Sequence, residues 1–216
     1  MISVLLVGNG NVASHLHTAF LKADDIVVNQ ISSRNLEHIP KADITIIAVS
    51  DDAIAKVSSQ IKNPFVVHTS GACEIDELKN STHKGVFYML QTFSKNKEVN
   101  FSEVPFCLEA ENIKEKKLLE KLAKAIGKNI YTLNSKQRKA LHVAAVFVNN
   151  FTNHMYTTGN DICTTHGVPF EILHPLIKET ASKLTHLPPK KAQTGPAIRN
   201  DIKTIKNQVY RRIYFC

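Results

Sequence analysis

The opening of the chain carries the residue types that can hold a phosphate. Ile2-Ser3-Val4-Leu5-Leu6-Val7 reads as a strand, and it runs directly into Gly8-Asn9-Gly10-Asn11-Val12-Ala13 and then into the helical spacing of Leu16, Ala19 and Phe20. In a strand–turn–helix of this kind Gly8 permits the tight turn and Gly10 leaves room for a pyrophosphate against the backbone. Ala13 lets helix and sheet approach, and the free N–H groups of the helix start point at phosphate oxygens. Gly8, Gly10, Asn11, Val12 and Ala13 are therefore predicted to bind a dinucleotide, with a bare structural turn as the alternative. At the end of the second apolar run, Ile26 to Ile31, an NAD-preferring site would present Asp or Glu. Ser32-Ser33-Arg34 stands there instead. Its small hydroxyls and guanidinium suit a 2′-phosphate, which predicts NADP as the cofactor.

Two further strand ends carry polar groups. Asp43 to Val49 is nearly continuous in apolar residues, as a buried parallel strand should be, and Ser50 and Asp51 follow it. Val49, Ser50 and Asp51 can line the cofactor cleft, because ligands sit outside the carboxyl ends of such strands; the plainer role for Ser50 or Asp51 is to cap the next helix. Phe65-Val66-Val67-His68 ends in Thr69-Ser70-Gly71, a second set of cleft residues. His68 is a possible acid or base and equally a histidine held by backbone hydrogen bonds.

The elements that must position these groups alternate strand and helix up to Asn129-Ile130-Tyr131-Thr132-Leu133. Gly85 to Met89 and Val104 to Glu109 read as further strands, and Asn112 to Gly127 as an amphipathic surface helix. From Ser135 the apolar period becomes helical for about thirty residues. Residues 1–134 are predicted to form a Rossmann-type, mostly parallel α/β sheet domain, and residues 135–216 an all-α C-terminal domain. Val143, Val146, Phe147, Val148, Phe151 and Met155 spread around the long helix, more apolar surface than the remaining chain can cover, so a homodimer through this domain is predicted. At ~100° per residue, His142, Asn149, Asn153, Tyr156 and Asn160 form a polar line along it. That line is either a set of satisfied amides and exposed edge, or the wall of an active site. Further on, Thr194-Gly195-Pro196 with Arg199 can start a helix at Pro196, or can hold an anionic substrate group.

Composition excludes several function classes. No apolar run reaches the ~18 residues of a membrane span, and the N-terminus reads as a strand rather than a leader, so a cytoplasmic protein without a membrane partner is expected. Cys73, Cys107, Cys163 and Cys216 have no paired spacing, which argues for free thiols and against a metal site. The net charge is +8, and residues 178–216 carry nine Lys/Arg against two Asp/Glu. This basic end lacks a recognition motif and has few interleaved aromatics, so no nucleic-acid partner is expected.

Taken together, Val7-Gly8-Asn9-Gly10-Asn11-Val12-Ala13, Ala48 to Ile54, His68-Thr69-Ser70-Gly71, Gln91-Thr92-Phe93, His142 to Phe147, and Thr194-Gly195-Pro196 with Arg199 and Asp201 resemble the Rossmann-like, DUF2520-containing proteins. These are relatives of pyrroline-5-carboxylate reductase and the β-hydroxyacid dehydrogenases. The resemblance implies an N-terminal NADP domain, a helical dimerisation domain, and hydride transfer to or from a small C=N or C=O substrate. His142 is then the candidate proton donor, since a carbonyl or imine gaining hydride needs a proton, and Asn149 and Asn150 would orient the substrate. Thr194, Gly195, Pro196 and Arg199 are the candidate substrate-binding residues. The rival reading is a non-catalytic dinucleotide-binding module, a sensor or scaffold. Two departures from the resemblance stand out. Tyr88-Met89 occupies the place where relatives commonly read His-Pro, and the chain stops soon after Asp201, which suggests a C-terminal domain that is incomplete.

Overall fold

The strand at Ile2–Val7 (β1) is apolar at nearly every position because it is covered on both faces and flanked on both edges. It pairs in parallel with Ile26–Ile31 (β2) on one side and with Ile44–Ile47 (β3) on the other. A computed structural model describes residues 1–207. Phe65–His68 (β4) and His83–Met89 (β5) extend the parallel run; Pro105–Ala110 (β6) lies antiparallel to β5, and Asn129–Thr132 (β7) parallel to β6. The seven strands stand in the order β2-β1-β3-β4-β5-β6-β7.

Alternate side chains of β1 feed two cores. Leu6 joins Leu16 and Phe20 of the helix Asn11–Leu21 (α1), Phe87, Phe106, and Leu119 and Leu122 of the helix Ile113–Ile126 (α3). Leu5 and Val7 face the other way, onto Ile54 and Val57 of the short helix Ile54–Ser58 (α2), Val66 and Leu78. The Asn112 side chain caps α3 by accepting from the N–H groups of Lys114 and Glu115 at 3.1 and 3.2 Å, and Gly127 follows its end.

The predicted long helix has three parts. Ser135–Ala145 (α4) opens with a capping box between Asn134 and Gln137, Val146–Phe151 is π-helical, and Thr152–Thr165 (α5) returns to α. A π segment changes the phase of the helix, so the uniform spacing that aligned His142 with Asn149, Asn153, Tyr156 and Asn160 does not carry through it. Pro175 sits in the first turn of His174–Lys183 (α6), where a missing N–H costs nothing, and it interrupts no helix. Pro189–Ala192 (α7) is a single turn.

The chain divides into two compact units, Met1–Phe147 and Val148–Cys216. The helix expected to open the second domain at Ser135 therefore has its α4 portion in the first unit. Every buried residue among those described lies in the first unit. Among the described residues no helix is long and apolar enough to cross a membrane. The closing stretch from Val209 to Cys216, on which the expectation of an incomplete domain rested, lies outside the described residues.

Candidate functional site

The glycine turn is built at the carboxyl end of β1. Gly8 has φ +138°, and a side chain there would also run into the Ala48 carbonyl, so only glycine suits the position. Its N–H donates to the Ile31 carbonyl at 2.9 Å and its carbonyl accepts from Gln30 Nε2 at 2.7 Å, which lashes the turn to the end of β2. The start of α1 at Gly10 has no side-chain cap and no acidic residue in its first turn, and the space beside Gly10 is open. Ala13 is fully buried and lets α1 lie against the sheet, as expected of it, without reaching the pocket surface.

A pocket of about 1060 Å³ opens over this turn. Gly8, Gly10, Asn11 and Val12 line it from β1 and α1; Ser32, Ser33 and Arg34 from the end of β2; Val49, Ser50 and Thr69 from the ends of β3 and β4. Lys56 and Gln60, which the sequence did not single out, complete it. Among the described residues Arg34 and Lys56 are its two cationic side chains, and none of those lining it is a carboxylate.

Val12 and Thr69 also belong to a smaller pocket of about 200 Å³. Asp51, Ser70 and Gly71 line this one, together with Tyr88, Gln91, Phe93 and His142. The Ser70 hydroxyl accepts from the N–H groups of Ala72 and Cys73, both at 3.0 Å, and so closes the turn rather than offering itself to a ligand. Asn11 Nδ2 donates to the Phe93 carbonyl at 2.9 Å and His15 Nε2 lies 3.0 Å from the Ser94 carbonyl, so α1 holds the polar turn after β5 in place.

His68 does not reach either pocket. It is fully buried, with Nδ1 accepting from the Ser70 N–H at 3.1 Å and Nε2 facing the Glu74 carbonyl at 3.2 Å. Burial, reinforced by the Arg138 charge, holds its pKa down at about 4. It is a neutral staple for the Thr69-Ser70-Gly71 turn.

His142 owes its place to Arg138, one turn earlier on α4. Arg138 is 1% exposed; its guanidinium bonds the Glu109 carboxylate of β6 and the Cys73 carbonyl, and Ser135 Oγ donates to Glu109 Oε2 at 2.9 Å. Lys139 is engaged elsewhere, with Nζ 2.9 Å from Glu74 Oε1. Four residues beyond Arg138, His142 Nδ1 lies 3.1 Å from the Tyr88 hydroxyl. Burial, with the neighbouring Cys107 thiol, pushes the Tyr88 phenol up to about 12. Arg138 was not singled out from the sequence, and Tyr88 only as half of the Tyr88-Met89 departure, without a role. The one signal available was the four-residue spacing that puts Arg138 and His142 on the same helix face.

The remaining candidates belong to the second unit. Asn149 and Asn150 are exposed on the π segment. Thr194 and Arg199 are exposed, while Gly195 and Pro196 are partly covered. Pro196 opens a turn rather than a helix: its carbonyl accepts from the Asp201 N–H at 2.9 Å, and Gly195 has φ +96°. A further concavity of about 910 Å³, between α1, the end of α3 and residues 95–102, contains none of the predicted residues.

A mostly parallel sheet in this order, with a glycine turn and pocket at its strand ends and a helical C-terminal portion, defines a Rossmann-type α/β protein. The chain belongs to the family described as Domain of unknown function (DUF2520), whose profile matches residues 104–212. Among solved structures it is similar to the "putative NADP oxidoreductase" of Bacteroides fragilis, with 35% identity over 97% of this chain and 90% of that one and a TM-score of 0.86. It is also similar in fold to a Thermotoga maritima protein (21% identity, 98% and 91% covered, TM-score 0.75). The same holds for Plasmodium falciparum pyrroline carboxylate reductase with NADP bound (15% identity, 98% and 94% covered, TM-score 0.63). No curated protein matches the chain.

Proposed function

We propose that the protein is an oxidoreductase that binds NADP(H) in the larger pocket and transfers hydride to or from a small C=N or C=O substrate held beside His142. The observation that carries this is the lining of the larger pocket: an uncapped helix start, two cations and no carboxylate, which fits a polyanionic dinucleotide. The name of the similar Bacteroides fragilis protein points the same way.

In this reading the backbone N–H groups from Gly10 to Val12 hold the pyrophosphate. Arg34 with Ser32 and Ser33 holds the 2′-phosphate, and Lys56 adds a second positive charge. Bound there, the nicotinamide supplies or accepts the hydride. His142 holds the proton that the substrate heteroatom takes up or releases. For the second unit the proposal keeps Asn149 and Asn150 as substrate-orienting residues and Thr194, Gly195, Pro196 and Arg199 as the group that takes an anion. The exposed apolar residues of the second unit, among them Val148, Ile172 and Leu176, are covered by a second copy of the chain.

The test is an NADPH titration run beside NADPH oxidation on a panel of cyclic imines, keto acids and aldehydes. Tight NADPH binding, turnover on one class, and a His142→Asn variant that keeps the affinity and loses the turnover are expected. Binding with no turnover on any of them would instead favour the non-catalytic module.

A further inference from the structure

The small pocket contains a buried hydroxyl aimed at the one imidazole that lines it. Tyr88 lies on β5, its backbone opposite Cys107 of β6, and is 8% exposed. Its hydroxyl is 3.1 Å from His142 Nδ1, and the two rings meet edge to face with centroids 5.9 Å apart at 76°. Gly71 lies under both rings. A methyl group at residue 71 would stand 2.6 Å from His142 Nδ1 and 2.8 Å from Tyr88 Cζ, so the pair can close only over a residue without a side chain. Three separate segments, the turn after β4, the strand β5 and the helix α4, are thus shaped around one hydrogen bond.

We propose that Tyr88 is a positioning residue for His142: its hydroxyl donates to Nδ1, so that the neutral ring carries its hydrogen on Nε2 and presents that N–H to the ligand in the small pocket. The inference rests on the reading of that pocket as the place where the substrate heteroatom is held. A phenol O–H is a stronger donor than a neutral imidazole N–H, which sets the direction of the bond. The phenol also keeps its proton, since burial opposes the phenolate. With the Nδ1 edge closed off by Tyr88 and Gly71, Nε2 is the edge left for a carbonyl oxygen or imine nitrogen. When the ring takes up a second proton, the hydroxyl can rotate and accept from Nδ1–H, so Tyr88 holds the ring in both states.

The test is the nitrogen-15 spectrum of the full chain labelled at histidine, at mildly alkaline pH, with the His142 signals identified by their loss in His142→Asn. The expected result is a His142 ring protonated at Nε2 in the wild type and a mixture of both tautomers in Tyr88→Phe, which keeps the ring packing and removes only the hydroxyl. Gly71→Ala, which forces the rings apart, should give the same mixture. In turnover Tyr88→Phe should lower kcat about ten-fold and leave NADPH affinity unchanged. A wild-type ring protonated at Nδ1, or a tautomer ratio unmoved by Tyr88→Phe, overturns the proposal. Because the spectrum is read without substrate, a failure to find turnover bears on the proposed reaction and not on this assignment.

Discussion

Met1–Phe147 closes an apolar layer over each face of its sheet, with Leu5, Leu6, Leu16, Phe20, Ile47 and Val66 all fully buried. From Val148 to Asn207 not one described residue is buried, and Val148, Ile172 and Leu176 are 75%, 65% and 63% exposed. The first unit can offset its conformational entropy with its own core, whereas the second leaves its apolar side chains exposed, the surface the proposed dimer would cover. The two units therefore have to fail in different ways. Substitutions in the first should act on folding and nucleotide binding, and those in the second on assembly.

The largest effect is expected at Arg138, which joins α4 to β6 and to the turn after β4. Replacing it with Met leaves the Glu109 carboxylate without its cation, held by Ser135 alone, and the Cys73 carbonyl without the guanidinium, and should lower the unfolding free energy in urea by about 4 kcal/mol. A loss below about 1 kcal/mol would mean that the tie does not hold the helix.

Next comes pH. His68 has a folded pKa of about 4 against an ordinary value of 6.5, so the stability it contributes is fully present above pH 6.5 and is lost as pH falls toward 4. The loss is on the order of 3 kcal/mol. A His68→Asn variant should show a flatter dependence of unfolding free energy over that window, and an unchanged slope would reassign the acid sensitivity to other groups.

In the second unit, the proposed dimer predicts that Leu176→Glu raises its dissociation constant about 30-fold, as expected for burying a charge against apolar side chains, and leaves NADPH affinity alone. A wild-type chain that is monomeric by light scattering at micromolar concentration, yet keeps α5 and α6 folded, would break the contrast between the units. The smallest effect is at Arg34. Arg34→Ala should reduce the preference for NADPH over NADH about ten-fold in a binding titration, the loss of one charge-assisted contact.

Much of the larger pocket was legible in the sequence because its residues follow strand ends at short range. Gly8 to Val12 and Ser32 to Arg34 are local patterns, and the sheet brings them together by placing β1 beside β2. The smaller pocket was half legible. His142 stood out by type, but Tyr88 stood out only as a departure from the resemblance, with nothing to link it to a partner 54 residues away. Arg138 looked like an ordinary cation in the first turns of a helix; only the position of Glu109, 29 residues earlier, makes it a buried tie. The π segment at Val146–Phe151 left no signal at all, because its residue types are those of an α-helix, and the polar line drawn on ideal spacing failed there.

The reversal of β6 against β5 gives α4 a further role, that of a measuring rod. Because β6 and β7 run opposite to the parallel strands, β7 ends at Thr132, level through Leu108 and Phe87 with the carboxyl end of β4, and α4 starts from there. Ser135 is pinned at the start of the helix to Glu109, and His142 meets Tyr88 seven residues later, a rise of about 10 Å. The length of helix between those two points is thus a calibrated distance. One residue inserted between Arg138 and His142 would leave the anchor, the sheet and the nucleotide pocket untouched, yet swing the imidazole about 100° around the helix axis and out of the pocket. Substitutions at the exposed positions Lys136, Gln137 and Ala140 leave that distance alone, whereas an insertion or deletion between the two points changes it.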